Sequence, residues 1–126
     1  MRDIVNNDIC DTKITDIVGD NIYYYNKPEE SESKLYIEWQ FVTETRGNYS
    51  GNIYNTKDAL IQINIYSDIS ELDKYYKLEK IIPELLDGKD YRYNNEIELY
   101  ENDTGLWHKA FRYYKTIQDR KDDLNG

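Results

Sequence analysis

The sequence predicts an α+β fold, in which helices pack on one face of a mainly antiparallel β-sheet. Two segments, LYIEWQFVT at 35–43 and ALIQINIYS at 59–67, alternate apolar and polar residues, which indicates strands with one buried side. Residues 70–86 repeat leucine, isoleucine and tyrosine at intervals of three and four, a spacing typical of an amphipathic helix. The sequence NDTG at 102–105 joins two further strand-like segments into a C-terminal β-hairpin.

The N-terminal part of the chain predicts helix followed by a short strand. Residues 3–18 place isoleucine and valine at helical spacing, but their asparagines and threonines are weak helix formers. We therefore expect one irregular helix or two short ones, ending at Gly19. The aromatic stretch NIYYYN at 21–26 favours a short strand, and the polar, proline-containing KPEESESK at 27–34 favours an exposed loop.

The two alternating segments predict neighbouring strands separated by a long connection. In 35–43 the apolar face carries leucine, isoleucine, tryptophan and phenylalanine, and the isoleucine-rich segment 59–67 is expected to be a central strand. Residues 44–57 contain two glycines and several Asn, Ser and Thr residues. This composition predicts a long loop or the splayed tip of a hairpin with strand-like arms.

The amphipathic helix at 70–86 has candidate start and stop signals. Ser70 is the expected N-cap, with Asp73 three residues later in place of the usual Glu or Gln. Pro83 lacks an amide hydrogen and clashes with the preceding turn, so we expect a kink or a restart of the helix near residues 81–82. Gly88 is available as the C-terminal cap.

The C-terminal third predicts three strands and a tight turn. The strands are expected near 90–93, 95–101 and 106–117, and residues 102–105 fit a type I turn with Gly105 at the position that needs a positive φ. The charged residues 118–126 are expected to fray. With 126 residues, the chain 1–126 is expected to form a single domain.

Composition excludes several classes of function. The formal charge of −9 argues against a protein that binds nucleic acid through its phosphates, and the 14 tyrosines favour contact with protein. The single cysteine, Cys10, permits neither an intramolecular disulfide nor a thiolate zinc site. We expect synthesis in a cytoplasm and no contact with membrane, because no signal peptide or long apolar run is visible.

His108 is the obvious candidate for catalysis, since it is the only histidine. On the predicted strand it shares the less apolar face with Ala110 and Arg112, whereas Trp107 and Phe111 lie on the other face. A histidine-assisted nucleophile would need a placed third group, and the sequence contains no nucleophile elbow or cysteine motif. We therefore interpret His108 as a strand residue.

Glu96 and Glu98 are the other candidates for chemistry. On a strand they point the same way, so two carboxylates could in principle hold a hard cation. Their mutual repulsion argues against this pairing unless a lysine from a neighbouring strand intervenes, and we favour an acidic, solvated face. No phosphate-binding loop, dinucleotide fingerprint or histidine pair is present. The sequence predicts no catalytic, cofactor-binding or metal-binding residue and no enzyme activity.

The order of these segments resembles a known family. YIEWQFV, the long connection, QINIYS, the amphipathic helix and the E-x-D-T-G-L-x-H-K core of the hairpin from Glu101 to Lys109 are similar to the tail terminator (tail completion) proteins of long-tailed bacteriophages, the siphophages, of low-GC Gram-positive bacteria. The resemblance covers residues 1–117. It consists of packing and turn patterns and includes no catalytic motif.

The resemblance implies a structural virion protein that caps the tail tube. Such proteins end tail polymerisation and form the head-tail joining surface, as a ring, expected to be a hexamer, at the head-proximal end of the tail. The implied partners are further copies of the chain, the tail-tube protein and the head-completion or connector protein, and DNA passes through the lumen without specific binding. Glu96 and Glu98 are candidates for an acidic lumen face. The candidate interface residues are Arg46, Asn48, Tyr49, Asn52, Tyr54, Asp103 and Thr104.

Three alternatives remain open at this point. A head-completion or stopper protein of the same neck region is equally small and ring-forming. An acidic inhibitor that mimics DNA would array carboxylates along one face and bind a nuclease as a stable monomer. A metal-dependent hydrolase would use Glu96, Glu98 and His108, and would lose function when Glu98 and His108 are replaced by alanine.

Overall fold

A computed structural model of the protein describes residues 2–47 and 54–120. Within these residues the chain forms three α-helices, one 3₁₀ turn and five strands. In chain order they are α1 (Arg2–Ile9), α2 (Thr12–Val18), β1 (Ile22–Tyr24), β2 (Leu35–Gly47), β3 (Tyr54–Ser67), a 3₁₀ turn (Ile69–Glu71), α3 (Leu72–Asp87), β4 (Arg92–Glu101) and β5 (Leu106–Arg120).

The strands form a single sheet in the order β1-β2-β3-β5-β4. The pairs β2–β3, β3–β5 and β4–β5 are antiparallel, and only the three-residue β1 runs parallel to its neighbour β2. This arrangement confirms the predicted α+β class and the central position of β3. It also leaves β1 and β4 at the two edges of the sheet.

The hydrophobic core lies between one face of the sheet and the three helices. Alternate side chains of β2, β3 and β5 point into it, as the period of two in these segments predicts. Each helix contributes one side to the core. No helix in the described ranges is long and apolar enough to cross a membrane. The most deeply buried large side chains are Trp39, Tyr75, Tyr113, Phe111, Ile9, Ile14, Ile37, Ile61, Ile63, Ile65, Leu78 and Ile82.

The N-terminal segment forms two short helices, one of the two predicted arrangements. The break lies at Cys10 and Asp11, where the Asp11 side chain accepts a hydrogen bond of 2.9 Å from the Lys13 amide and caps α2. Gly19 ends α2 with a φ of 61°. Two residues, the exposed Cys10 and the half-buried Asp11, therefore separate the two helices, and Val5 and Ile9 are buried from α1.

The predicted N-cap of the third helix is wrong. Ser70 lies inside the 3₁₀ turn, and its amide donates to the Asp68 carboxylate at 2.9 Å, so Asp68 caps the turn that leads into α3. The Ser70 hydroxyl donates to the same carboxylate at 2.6 Å. The Ser70 hydroxyl thus acts as a donor to Asp68, and the capping side chain lies two residues earlier than the sequence pattern indicates.

Pro83 does not divide α3, so of the kink or restart predicted near 81–82, the restart does not occur. The helix runs unbroken from Leu72 to Asp87, because buried residues on both sides of the proline, including Leu78 and Leu86, hold it against the sheet. Gly88 is the C-cap, as predicted, and its amide donates to the Glu84 carbonyl at 3.3 Å.

The last two strands are longer than the sequence predicts. The expected strands near 90–93 and 95–101 are one strand, β4, and the Asn94–Asn95 interruption appears only as a register shift between Tyr93 and Asn95. β5 continues through residues 118–120, which pair with the start of β3 instead of fraying. Residues 121–126 lie outside the described part of the chain.

Candidate interface surfaces

The β4–β5 turn is a compact structure that displays two of the candidate contact residues. Gly105 has a φ of 72°, and its amide donates to the Glu101 carbonyl at 2.8 Å, which closes the turn. Asp103 and Thr104 are exposed at its tip, and the Thr104 hydroxyl lies 3.3 Å from the Glu101 carboxylate. The predicted positive φ at Gly105 is confirmed.

Replacing Gly105 with alanine should lower the free energy of unfolding by about 1 kcal/mol, because a side chain is disfavoured at this φ. A Cβ at this position would meet only the Tyr100 hydroxyl, at 3.8 Å, so the cost comes from the backbone and not from a clash. Gly88→Ala is the matched control, since Gly88 has a φ of −75° and only ordinary contacts. Urea unfolding checks both; equal stability of the two variants would contradict the prediction.

The strands β2 and β3 form a second antiparallel hairpin. Its strand β2 is separated from β4 by β3 and β5. Arg46 and Tyr54 lie in the paired arms, where Arg46 is opposite Lys57 and Tyr54 is opposite Arg120. The strand-like arms predicted for 44–57 are therefore present. The other candidate contacts in this segment, Asn48, Tyr49 and Asn52, lie outside the described residues.

Glu96 and Glu98 point toward the helix side of the sheet and are bound by other side chains. The Lys109 ammonium lies 2.6 Å from the Glu96 carboxylate and 3.3 Å from that of Glu79 on α3. The Tyr75 hydroxyl donates to Glu98 at 2.7 Å. A lysine from the neighbouring strand β5 thus pairs with Glu96 and Glu79, whereas Glu98 is bound by Tyr75.

The pKa values of this cluster follow from burial and from Lys109. The hydrogen bond from Lys109 lowers the pKa of Glu96. Burial favours the neutral amine of Lys109, but its bonds to Glu96 and Glu79 outweigh this effect and raise its pKa. Burial raises the pKa of Glu79, and it raises that of Tyr75 together with the hydrogen bond to Glu98. No group of three or more potential metal ligands occurs among the described residues.

The sheet face opposite the helices carries a row of stacked rings. The Tyr36 and Tyr66 rings stack with centroids 4.9 Å apart, and the His108 ring stacks on Tyr66 at 4.2 Å. Cross-strand pairing of Tyr36 with Tyr66, and of Tyr66 with His108, produces this row. Burial and nearby glutamates raise the pKa of Tyr36 to about 12, so its hydroxyl stays protonated near neutral pH.

Part of this second face is covered by the connection between β1 and β2. The Glu38 carboxylate accepts a hydrogen bond of 2.6 Å from the Lys27 amide, and the Lys27 ammonium lies 5.3 Å above the Tyr36 ring. Tyr36 is only 6% exposed as a result. The segment 27–34 has no regular secondary structure and is mostly exposed, as predicted, while Lys27 packs on the sheet.

His108 is buried and makes three distinct contacts. Besides its stacking on Tyr66, its Nε2 atom lies 2.8 Å from the Asn64 side-chain oxygen and its Nδ1 atom lies 3.4 Å from the Glu101 carboxylate. Ala110 and Arg112 share its face, as predicted, but the alternation of the strand does not predict that His108 is only 9% exposed. Burial lowers the pKa of His108, and Glu101 opposes part of that effect.

The outer part of the second face is open along β4. Ile97 and Leu99 are 54% and 47% exposed beside buried Ala110 and His108, with a shallow cavity of about 130 Å³ between β4, β5 and β3. Tyr100 is half exposed on the other side of the same strand. β4 is therefore an edge strand with large apolar side chains accessible on both faces. The alternation of apolar and acidic residues in β4 does not reveal this exposure, because the same pattern is typical of a strand with one buried face.

Comparisons with known proteins bear on the fold. No family model and no curated protein matches this sequence. The structure is similar to a chain in the solved virion of a native gene transfer agent (GTA) particle, with a TM-score of 0.69 at 11% sequence identity. The superposition covers 91% of this chain and 92% of that chain, so the two folds correspond over nearly their whole length.

Proposed function

We propose that this chain is a structural protein of a phage-like virion, and more specifically a tail terminator. In this role it caps the tail tube, ends tail polymerisation and presents the surface to which the head-completion or connector protein binds. The observation that carries the proposal is the near full-length similarity of fold to a GTA virion chain. The tail-terminator patterns of the sequence, from YIEWQFV to the hairpin core at 101–109, give the finer assignment.

Ring formation needs two different surfaces on each copy, because a closed ring is built from heterologous contacts. The β4 edge supplies a suitable surface, since Ile97, Leu99 and Tyr100 remain about half exposed beside unpaired backbone at the end of the sheet. The β2 arm of the β2–β3 hairpin lies on the side of the central strand β3 that faces away from β4. We propose that this hairpin supplies the second surface, through Arg46, Tyr54 and the residues between them.

The proposed lumen is acidic, so that DNA passes without being held. The chain as a whole carries a formal charge of −9. Glu96 and Glu98 are candidates for this lining, although Lys109 forms an ion pair with Glu96. In this proposal DNA makes no specific contact with the protein.

The test is to remove the tip of the β2–β3 hairpin. Deletion of Asn48 to Asn52 leaves residues 53–55 between the paired Gly47 and Thr56, enough for a short hairpin loop. We expect the variant to fold with an unchanged circular dichroism spectrum but to form no rings, whereas the wild type forms rings alone or on purified tail tubes. Native mass spectrometry and electron microscopy measure both properties.

The control is a variant with Glu29 and Glu30 replaced by alanine, two exposed residues of the β1–β2 connection. It should assemble as the wild type does. Intact rings from the deletion variant would contradict the assigned interface. A wild type that stays monomeric in the presence of tail tubes and binds a nuclease would overturn the tail-terminator proposal in favour of a DNA-mimic inhibitor.

A further inference from the structure

His108 lies at the base of the β4–β5 turn with one ring nitrogen satisfied and the other unpaired. Asn64 presents its side-chain oxygen to Nε2, because the same oxygen accepts a hydrogen bond of 2.8 Å from the Gln62 amide while the Asn64 amide donates to the Glu38 carbonyl. The Nε2 atom must therefore carry the ring hydrogen. The Nδ1 atom is buried and makes no hydrogen bond in the described part of the chain.

In a neutral imidazole with hydrogen on Nε2, the Nδ1 lone pair faces the Glu101 carboxylate oxygen at 3.4 Å. Two acceptors then oppose each other at a ring nitrogen that is shielded from water, beside a carboxylate that is 31% exposed, and such a contact is unfavourable. Uptake of one proton by Nδ1 converts it into an N–H donor and the contact into a charge-assisted hydrogen bond. The geometry therefore has two states that differ by one proton.

We propose that His108 and Glu101 form a proton-operated latch that controls the rigidity of the β4–β5 turn. Glu101 links the ring to the turn at three points. Its carboxylate contacts both His108 and the Thr104 hydroxyl, and its carbonyl accepts the hydrogen bond from the Gly105 amide. When Nδ1 takes up a proton, the Glu101 side chain is fixed between β5 and the turn, and the turn becomes more ordered.

The charged and titratable groups around the ring come from every neighbouring strand. Glu101 lies on β4 and Glu38 on β2, and both favour the protonated ring. Tyr66 on β3 stacks on the ring, and burial raises its pKa, so it stays neutral near pH 7. Arg112 on β5 is held by the Gln62 side-chain oxygen at 2.9 Å. Burial nevertheless lowers the pKa of His108 below its ordinary value, so the latch is open at neutral pH and closes on acidification.

The test uses the intact protein, in which the single histidine gives one unambiguous imidazole signal. Nitrogen-15 NMR of the ring should show hydrogen on Nε2 and none on Nδ1 at pH 7.5. As Nδ1 gains its proton on acidification, exchange of the Gly105 amide, corrected for intrinsic exchange, should slow about threefold, the size expected of a partly exposed ion pair. A ring already protonated on Nδ1 at pH 7.5, or a corrected Gly105 rate that does not respond to the titration, would overturn the latch.

Two variants separate the latch from a general effect of pH. Glu101→Gln should lower the pKa of His108 further and abolish the slowing at Gly105. Glu98→Gln is the matched control, because its carboxylate lies on the opposite face and binds Tyr75; it should titrate and exchange as the wild type does. A Glu101→Gln variant that keeps the response of Gly105 would contradict the proposal.

The consequence for assembly rests on the proposed function, since Asp103 and Thr104 at the tip are candidate subunit contacts. With that function, rings should resist dissociation better at the pH at which the latch is closed than at pH 7.5, and the difference should vanish in Glu101→Gln. The NMR experiment does not depend on rings. A working latch in a protein that never assembles would therefore overturn the tail-terminator proposal alone.

Discussion

Replacing Trp39 with alanine should remove about 3–5 kcal/mol of stability, the range for truncating a buried aromatic side chain, and should leave little folded protein. Trp39 is fully buried at the centre of β2, where its ring packs against Tyr24 at 4.8 Å and Phe41 at 5.4 Å. Its indole nitrogen also donates to the Asn6 side-chain oxygen at 3.2 Å, which ties α1 to the sheet. The variant therefore loses a core side chain and a link between two layers.

Urea unfolding monitored by circular dichroism measures the loss. Tyr76→Ala is the matched control, because Tyr76 is 54% exposed on the outer side of α3 and its truncation should change stability by about 0.5 kcal/mol or less. A Trp39→Ala variant that unfolds within about 1 kcal/mol of the wild type would mean that the helix and sheet layers do not share this contact.

The strands and the main helix could be predicted because their signals are local. In β2 and β3 one face is buried by the helices, so the sequence alternates with a period of two, and α3 shows its buried stripe at a period of three to four. Gly105 is equally local, since its φ of 72° is a property of the turn itself. These features need no knowledge of which segments meet in space.

The features that could not be predicted depend on contacts between residues far apart in the sequence, or on which of two neighbouring side chains makes a given contact. His108 is buried because Tyr66 and Asn64 reach it from β3, more than forty positions earlier in the sequence. Asp68 and Ser70 both have capping side chains, and the sequence does not decide which one accepts the amide hydrogen. Pro83 remains inside α3 because packing on both sides outweighs its local cost.

The candidate contacts were predictable to different degrees. The acidic pair Glu96 and Glu98 was found from strand alternation, and the need for an intervening lysine followed from Coulomb repulsion. That Lys109 supplies this charge depends on the register of β4 against β5, in which Glu98 is opposite Lys109. The open apolar edge at Ile97 and Leu99 was not predicted, because it depends on β4 being the last strand of the sheet.

Replacing Lys109 with glutamine should destabilise the protein by about 2 kcal/mol at pH 7. Lys109 is 14% exposed between Glu79 and Glu96, and its loss leaves these carboxylates close to Glu98 without a cation. Removing one partner of a fully buried pair costs about 3–5 kcal/mol. The smaller value is expected here because Glu96 is 38% exposed, so that solvent screens part of the interaction.

The dependence on pH distinguishes this electrostatic effect from a loss of packing. The pKa of Glu96 is lowered by Lys109, so the stabilisation it provides is present above its unfolded pKa and is lost as the pH falls through its folded pKa. Lys109 has a raised pKa, and its contribution persists until the pH rises above the unfolded value of about 10.4. The difference between wild type and Lys109→Gln should therefore be largest from about pH 5 to 10 and should shrink below about pH 4.

Chemical unfolding at pH 7 and pH 3.5 checks this dependence, with Lys77→Gln as the control on the exposed side of α3. The control should change stability by about 0.5 kcal/mol or less at both pH values. The Lys109 ammonium lies 5.7 Å from the Phe111 ring centre. An equal loss of stability for Lys109→Gln at both pH values would therefore show that Lys109 stabilises the protein through the packing of its methylene chain. A deficit confined to neutral pH would show that β4 is held to α3 by charge, which leaves its apolar side chains free for contact with a partner.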